Sequence, residues 1–168
     1  MHRLLLLRHA KSSWSDPGIR DHDRPLNDRG RRSAKAIGKH LQNQGWQPDV
    51  VLCSSARRTC ETAALLDLPR AAELMVEHDL YLADPETVLH RICALDDRAG
   101  TVLVIGHNPT MHEVALDLVA DGDADALRRM GEKYPTGALA VFDVDRVWPA
   151  LAPGTAQLAA FVTPRELD

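Results

Sequence analysis

The run Leu4-Leu5-Leu6-Leu7 constrains this chain more than any other stretch. Four leucines with no polar position between them suit a strand buried on both faces, and such strands belong to parallel sheets covered by helices. Three more short apolar runs follow, Val50-Val51-Leu52, Leu74-Met75-Val76 and Thr101 to Ile105. Stretches of helical period separate and follow them: Ala34, Ile37 and Leu41; about residues 56 to 66; Val88, Leu89, Ile92 and Leu95; Met111, Val114, Ala115 and Leu118. The alternation predicts an α/β fold, a mostly parallel central sheet with helices on both faces. Asn27 or Asp28 is placed to cap the first helix and Gly45 to stop it; Asp84 with Pro85 opens a later one, and Pro109 suits the start of the next. Residues 121–125 read as an acidic turn, and 138–142 and 159–162 as two last strands. The segment after Asp145, with Trp148, Pro149 and Pro153, reads as ordered but irregular. No repeat, linker or low-complexity tract divides the chain, so a single domain over residues 1–168 is expected.

Composition narrows the function. The chain has 20 basic and 24 acidic residues, a net charge of −4, which argues against a nucleic-acid partner and leaves room for a local basic pocket. Cys53, Cys60 and Cys93 form no CxxC pair and fit reduced thiols. The leucine run is too short for a membrane span and lacks the features of a signal peptide. A cytoplasmic protein with no membrane partner is expected.

The chemistry gathers where the strands stop. The first run ends in Arg8-His9, the second in Ser54-Ser55 and a helical turn carrying Arg57 and Arg58, the fourth in Gly106-His107. In a parallel sheet these ends lie side by side, in the crevice where α/β proteins bind ligands. A phosphoryl group spreads its charge over three oxygens. The rigid fork of an arginine matches that geometry, and a neutral imidazole can accept the group covalently without a metal. Arg57 and Arg58 are adjacent and point in different directions, so at most one faces the crevice. His2, His22, His40, His78, His90 and His112 read as surface or structural. A metal site competes in a chain with eight histidines. However, there is no HExxH, and His107 and His112 are five apart, so no metal and no cofactor is expected. The polar stretch from Ser13 to Pro25 is a long loop over the first strand end, of a length that usually serves a site.

Taken together, Arg8-His9-Ala10, Ser54 to Thr62 and Gly106-His107 resemble the histidine phosphatase superfamily, which shares the phosphoglycerate mutase-like fold. Residues 7–14, 23–30 and 105–110 are similar to its short SixA-like phosphohistidine phosphatase branch, and the resemblance covers residues 3 to about 145. It implies that His9 is the phosphorylated nucleophile, with Arg8, Arg58 and His107 holding the phosphoryl group; the second arginine of that pattern lies four residues before the threonine, which selects Arg58. Relatives in the mutase branch carry an asparagine contact to phosphate where this chain has Ser15. Relatives that cleave esters carry a glutamate acid where this chain reads Val76 to Leu82, and Glu77 and Asp79 are the carboxylates available there. An alkoxide needs a proton to leave, whereas protonated phosphohistidine releases a neutral imidazole whose conjugate acid has a pKa of about 6.5.

The expected function is therefore a metal-independent phosphatase working through phospho-His9 on protein phosphohistidine, its partner being a phosphorylated protein. The alternatives are a phosphomonoesterase acting on a small phosphorylated molecule and, in another class, a phosphoryl-binding module without catalysis.

Overall fold

The four leucines lie in β1 (His2–Arg8), inside a seven-stranded sheet, in a computed structural model that describes residues 1–168. The other strands are β2 (Val50–Ser54), β3 (Glu73–Glu77), β4 (Thr101–Gly106), β5 (Val119–Gly122), β6 (Leu139–Val144) and β7 (Ala156–Val162). Their order is β3-β2-β4-β1-β6-β7-β5. β1, β2, β3 and β4 run parallel, and β5 is parallel to β7; β6 alone runs against its neighbours. Leu4 to Leu7 are all buried because the pleat divides them. Leu4 and Leu6 enter one core, and Leu5 and Leu7 the other.

Five helices cover the two faces. The smaller core receives Ile37 and Leu41 of α1 (Asp28–Gln44) and Ala63 of α2 (Arg57–Leu65). The larger core receives Val88 and Ile92 of α3 (Pro85–Cys93), Met111, Val114, Ala115 and Leu118 of α4 (Thr110–Leu118), and Ala126 and Met130 of α5 (Ala124–Glu132). Asn27 caps α1 by accepting from the Gly30 amide, and Gly45 ends it in the left-handed conformation at φ 71°. No helix is long and apolar enough to cross a membrane.

Two expectations need correction. The acidic turn at 121–125 is the end of β5 and the start of α5, with Asp123 capping the helix through the Ala126 amide. β5 is a sheet edge with two exposed residues of four, so neither an apolar run nor an alternation marks it. The segment after Asp145 is less irregular than its prolines suggest. Trp148 is wholly buried in a 3-10 turn, with its indole N–H donating to the Ala99 carbonyl at 2.7 Å, and β7 begins three residues before the strand read at 159–162.

Candidate active site

β2, β4 and β1 are neighbours and parallel, so Ser54, Gly106 and Arg8 end together on one side of the sheet. Each following residue enters the crevice beyond. His9 leaves β1 with its amide bonded to the Gly106 carbonyl at 3.0 Å, and His107 follows β4, with the two imidazole centroids 5.3 Å apart. Both rings are buried.

Partners fix the tautomers. The Nδ1 of His9 lies 2.7 Å from the Ala10 carbonyl oxygen, which can only accept, so Nδ1 carries the proton and Nε2 keeps its lone pair. At His107 the Nδ1 lies 3.3 Å from Nη2 of Arg58, which can only donate; Nε2 therefore carries the proton and donates to Ser54 Oγ at 2.7 Å. Burial and the charges of Arg58, Arg8 and Arg24 pull the His9 imidazole down to about 4, against its hydrogen bond to Ala10. Burial, with His9, Arg58 and Arg8, pulls His107 down to about 3 against the carboxylate of Asp21. Both rings are neutral at neutral pH.

Arg58 and not Arg57 faces the crevice. The Arg58 side chain is 4 % exposed, whereas that of Arg57 is 54 % exposed and paired with Glu61. Thr62 holds the helix turn in place: its hydroxyl donates to the Arg58 carbonyl at 2.7 Å and accepts the Ala10 amide at 3.1 Å. Arg8 donates through Nη1 to the Tyr134 carbonyl at 3.0 Å. Burial and the facing charge of Arg58 both lower the proton affinity of Arg8. The Nε atoms of Arg8 and Arg58 are buried without a hydrogen-bond partner. Two buried donors without partners, on cations that repel each other, have the chemistry that an oxyanion would satisfy.

Other predicted residues are not brought to this point. Ser15 is exposed in the loop after β1, and its hydroxyl pairs with that of Ser13 at 2.8 Å. Glu77 turns both carboxylate oxygens to Arg91, at 2.7 and 2.8 Å. Asp79 is exposed in the following 3-10 turn. None of the three joins the arginine and histidine cluster. The carboxylate that does is Asp21, from the 13–25 loop: it accepts from Arg58 Nη2 at 3.0 Å, from the Tyr81 hydroxyl at 2.5 Å and from Arg24 Nε at 3.2 Å. Partial burial alone would raise its pKa, but the bonds from Tyr81 and Arg58 and the Arg58 charge bring it to about 2. Of the histidines read as surface or structural, His22 and His78 meet at Ser55. Each lies within bonding distance of Ser55 Oγ, at 2.9 and 3.2 Å, and His22 meets the Tyr81 ring edge-on at 4.7 Å.

Comparison with known proteins bears on the family and the fold. The sequence model of the histidine phosphatase superfamily (branch 1) matches residues 4–82. An uncharacterised protein of Mycobacterium tuberculosis is 40% identical over 161 residues, covering 95% of this chain and 100% of that protein. A SixA phosphohistidine phosphatase candidate from Nakamurella multipartitia superposes with a TM-score of 0.85 at 32% identity, over 97% of this chain and 96% of its own. A second SixA candidate, from Agrobacterium tumefaciens, gives 0.81 at 32% identity, over 97% and 98%.

Proposed function

This chain belongs to the histidine phosphatase superfamily, in its SixA-like branch, and is a phosphatase; from that premise we propose that it removes phosphate from protein phosphohistidine through a metal-independent phospho-His9 intermediate. The observation that carries the mechanism is the orientation of His9. Its Nδ1–H is committed to the Ala10 carbonyl, so the Nε2 lone pair is free to attack. Phosphorus forms a bond to His9 Nε2 as its bond to the substrate nitrogen breaks, and the electron pair stays on the leaving imidazole. Water then attacks phospho-His9, phosphate leaves with the water oxygen, and the pair returns to Nε2. Arg8 and Arg58 hold the equatorial oxygens, and His107 adds its ring beside Arg58. Hydrogen bonds waiting at the place where charge develops supply most of such a catalyst's power.

The state of Asp21 supports a nitrogen leaving group. It is the carboxylate in contact with Arg58, and a group near pKa 2 has no proton to give at neutral pH. An alkoxide would therefore leave without help, whereas imidazole leaves as a neutral molecule. The same logic admits phenolic esters with acidic leaving groups and disfavours alkyl esters. The localisation proposed is cytoplasmic, where such phosphorylated carrier proteins work.

The test is a trapping experiment in excess EDTA, with a phosphorylated histidine-carrier protein in one arm and p-nitrophenyl phosphate in the other. Acid-labile phosphate on His9 from the carrier, absent in His9→Ala, is the expected result. Labelling from the ester alone would move the substrate to small esters. Activity lost with EDTA and restored by a metal would refute the metal-independent route.

A further inference from the structure

A second cationic site lies outside the histidine cluster. A concave groove of about 290 Å³ is lined by Lys11, Arg29, Lys133 and Arg165 together with the hydroxyl-bearing Ser33 and Thr136, and no carboxylate lines it. None of the four cations forms an ion pair with an acid of the chain, although the protein carries a net charge of −4. The adjoining groove is a useful contrast. There Asp125, Glu132 and Glu166 answer Arg128 and Arg129 in ion pairs of 2.7 to 3.2 Å. Lys133 and Arg165 line both grooves, but carboxylates line only the second.

Helix polarity supplies an independent argument. Arg29 lies in the first turn of α1, at the positive end of the macrodipole, where a cation is unfavourable. Arg31 nearby is offset by Asp28 and by the Leu26 carbonyl, but Arg29 has neither kind of partner. An anion in the groove would give the Arg29 guanidinium the partner it lacks.

We propose that this groove binds a phosphate-class oxyanion of two or more charges, supplied either as free phosphate or as a phosphoryl group on a larger molecule. Its chemistry is that of a phosphate site: guanidinium forks, ammonium groups and the hydroxyls of Ser33 and Thr136, while Thr163 at its edge gives its own hydroxyl and amide to Glu166. It does not depend on the proposed reaction. The groove is, however, separated from His9 by only one short loop. Tyr134 gives its carbonyl to Arg8, Gly137 gives its amide to the carbonyls of Arg8 and His9, and the intervening Pro135 and Thr136 line the groove.

The test is a titration of the full-length protein followed by amide resonances, using orthophosphate, pyrophosphate, phenylphosphonate and a hexa-aspartate peptide as probes. Amides of Ser33, Thr136 and Thr163 are expected to shift and saturate with a phosphate probe. Their dissociation constant should be distinct from that reported by Ser54 and Gly106 at the histidine cluster. Arg29→Glu/Arg165→Glu should weaken the first set by at least about tenfold, since two charge-assisted contacts are reversed, while the second set keeps its own response. Both residues are exposed and unpaired, and Lys133→Glu gives a second variant with the same expectation. Tighter binding of phenylphosphonate than of orthophosphate identifies a carried phosphoryl group as the source; the reverse order identifies free phosphate. No shift at Ser33, Thr136 and Thr163, an unchanged constant in the variants, or tighter binding of the peptide than of every phosphate probe would overturn the assignment.

Discussion

His9 and His107 are histidines that the fold keeps from titrating where histidines ordinarily do. With His9 at about 4 and His107 at about 3, both rings stay neutral from pH 8 to below pH 5. The nucleophile therefore needs no deprotonation step, and the acid limb contributed by His9 should lie near pH 4 instead of near 6.5. A titration of the imidazole proton resonances checks this, and a midpoint near 6.5 for His9 would contradict the assigned electrostatics. The sign for stability follows. The folded state binds its protons more weakly than the unfolded chain, so stability is lost as pH falls from about 6.5 towards 4 and 3, and is flat above that window. Asp21 adds a separate loss between its ordinary value and about 2. Glu77 gives a second check at this scale. Its oxygens are both on Arg91, so Glu77→Gln should leave turnover nearly unchanged and cost stability by no more than about 1 kcal/mol, the range of a partly exposed pair. A large fall in turnover of alkyl esters in that variant would restore Glu77 as an acid. Arg8, His9, Arg58 and His107 were legible in sequence because each sits directly after an apolar strand or in the helix turn that follows one. Asp21 and Tyr81 were not, because one comes from an aperiodic loop and the other from the end of a 3-10 turn, and no spacing rule says where such residues point.

At the scale of elements, the 13–25 loop is held to the site by polar contacts more than by packing. Ser12 bridges to Leu26, Arg24 donates to Ser12 and to the Ser13 carbonyl, and Asp21 reaches across to Arg58 and Tyr81. Arg24 also stacks against Trp14, 3.4 Å from the ring centroid. Removing the Asp21 carboxylate takes away its bonds to Arg58, Tyr81 and Arg24 and leaves the 2.8 Å bond from Arg58 Nη1 to the Asp21 carbonyl. Asp21→Ala is expected to speed amide exchange across residues 15–22 and to lower kcat/KM by about tenfold, because Arg58 loses one of the two bonds to Asp21 that orient it. Unchanged exchange in the variant would mean that Arg24, His22 and the Asp21 carbonyl hold the loop without the carboxylate. The strands carrying the site were legible for the same reason that they carry it: a buried parallel strand is apolar along its whole length and must become polar where it meets the crevice. β5 and α5 obey weaker rules. β5 is a four-residue edge containing Asp121 and Gly122, and α5 reads as charged because Arg128, Arg129 and Asp125 pair on its exposed side while only Ala126 and Met130 are buried. Their place in the fold is fixed by pairing with β7 and by the larger core, which are contacts distant in sequence.

For the whole molecule, α1 joins the smaller core to the segment that follows His9. This helix approaches its neighbours at two glycines. A Cβ at Gly30 would lie 2.0 Å from the Lys11 carbonyl oxygen, and a Cβ at Gly38 would lie 2.1 Å from that of Leu66. Both positions are helical, so on propensity alone Gly→Ala would stabilise by roughly 0.5–1 kcal/mol. Contact with backbone at these distances reverses the sign, because an oxygen of the main chain cannot rotate away as a side chain can. Overpacking of this kind costs typically about 1–3 kcal/mol, which outweighs the propensity gain. Both Gly30→Ala and Gly38→Ala are therefore expected to lower the urea midpoint. They should differ in activity. Gly38 presses on the end of α2, beyond the turn that carries Arg58. Gly30 presses on the segment two residues after His9, where the Lys11 carbonyl also accepts the Asn27 amide. Measured well below the unfolding transition, Gly38→Ala should retain most of its kcat/KM. Gly30→Ala should lose tenfold or more, since a displacement of about 1 Å at a catalytic group is worth on the order of a hundredfold. Equal activity losses in the two variants would place the effect in global stability, and would show that α1 does not set the position of His9.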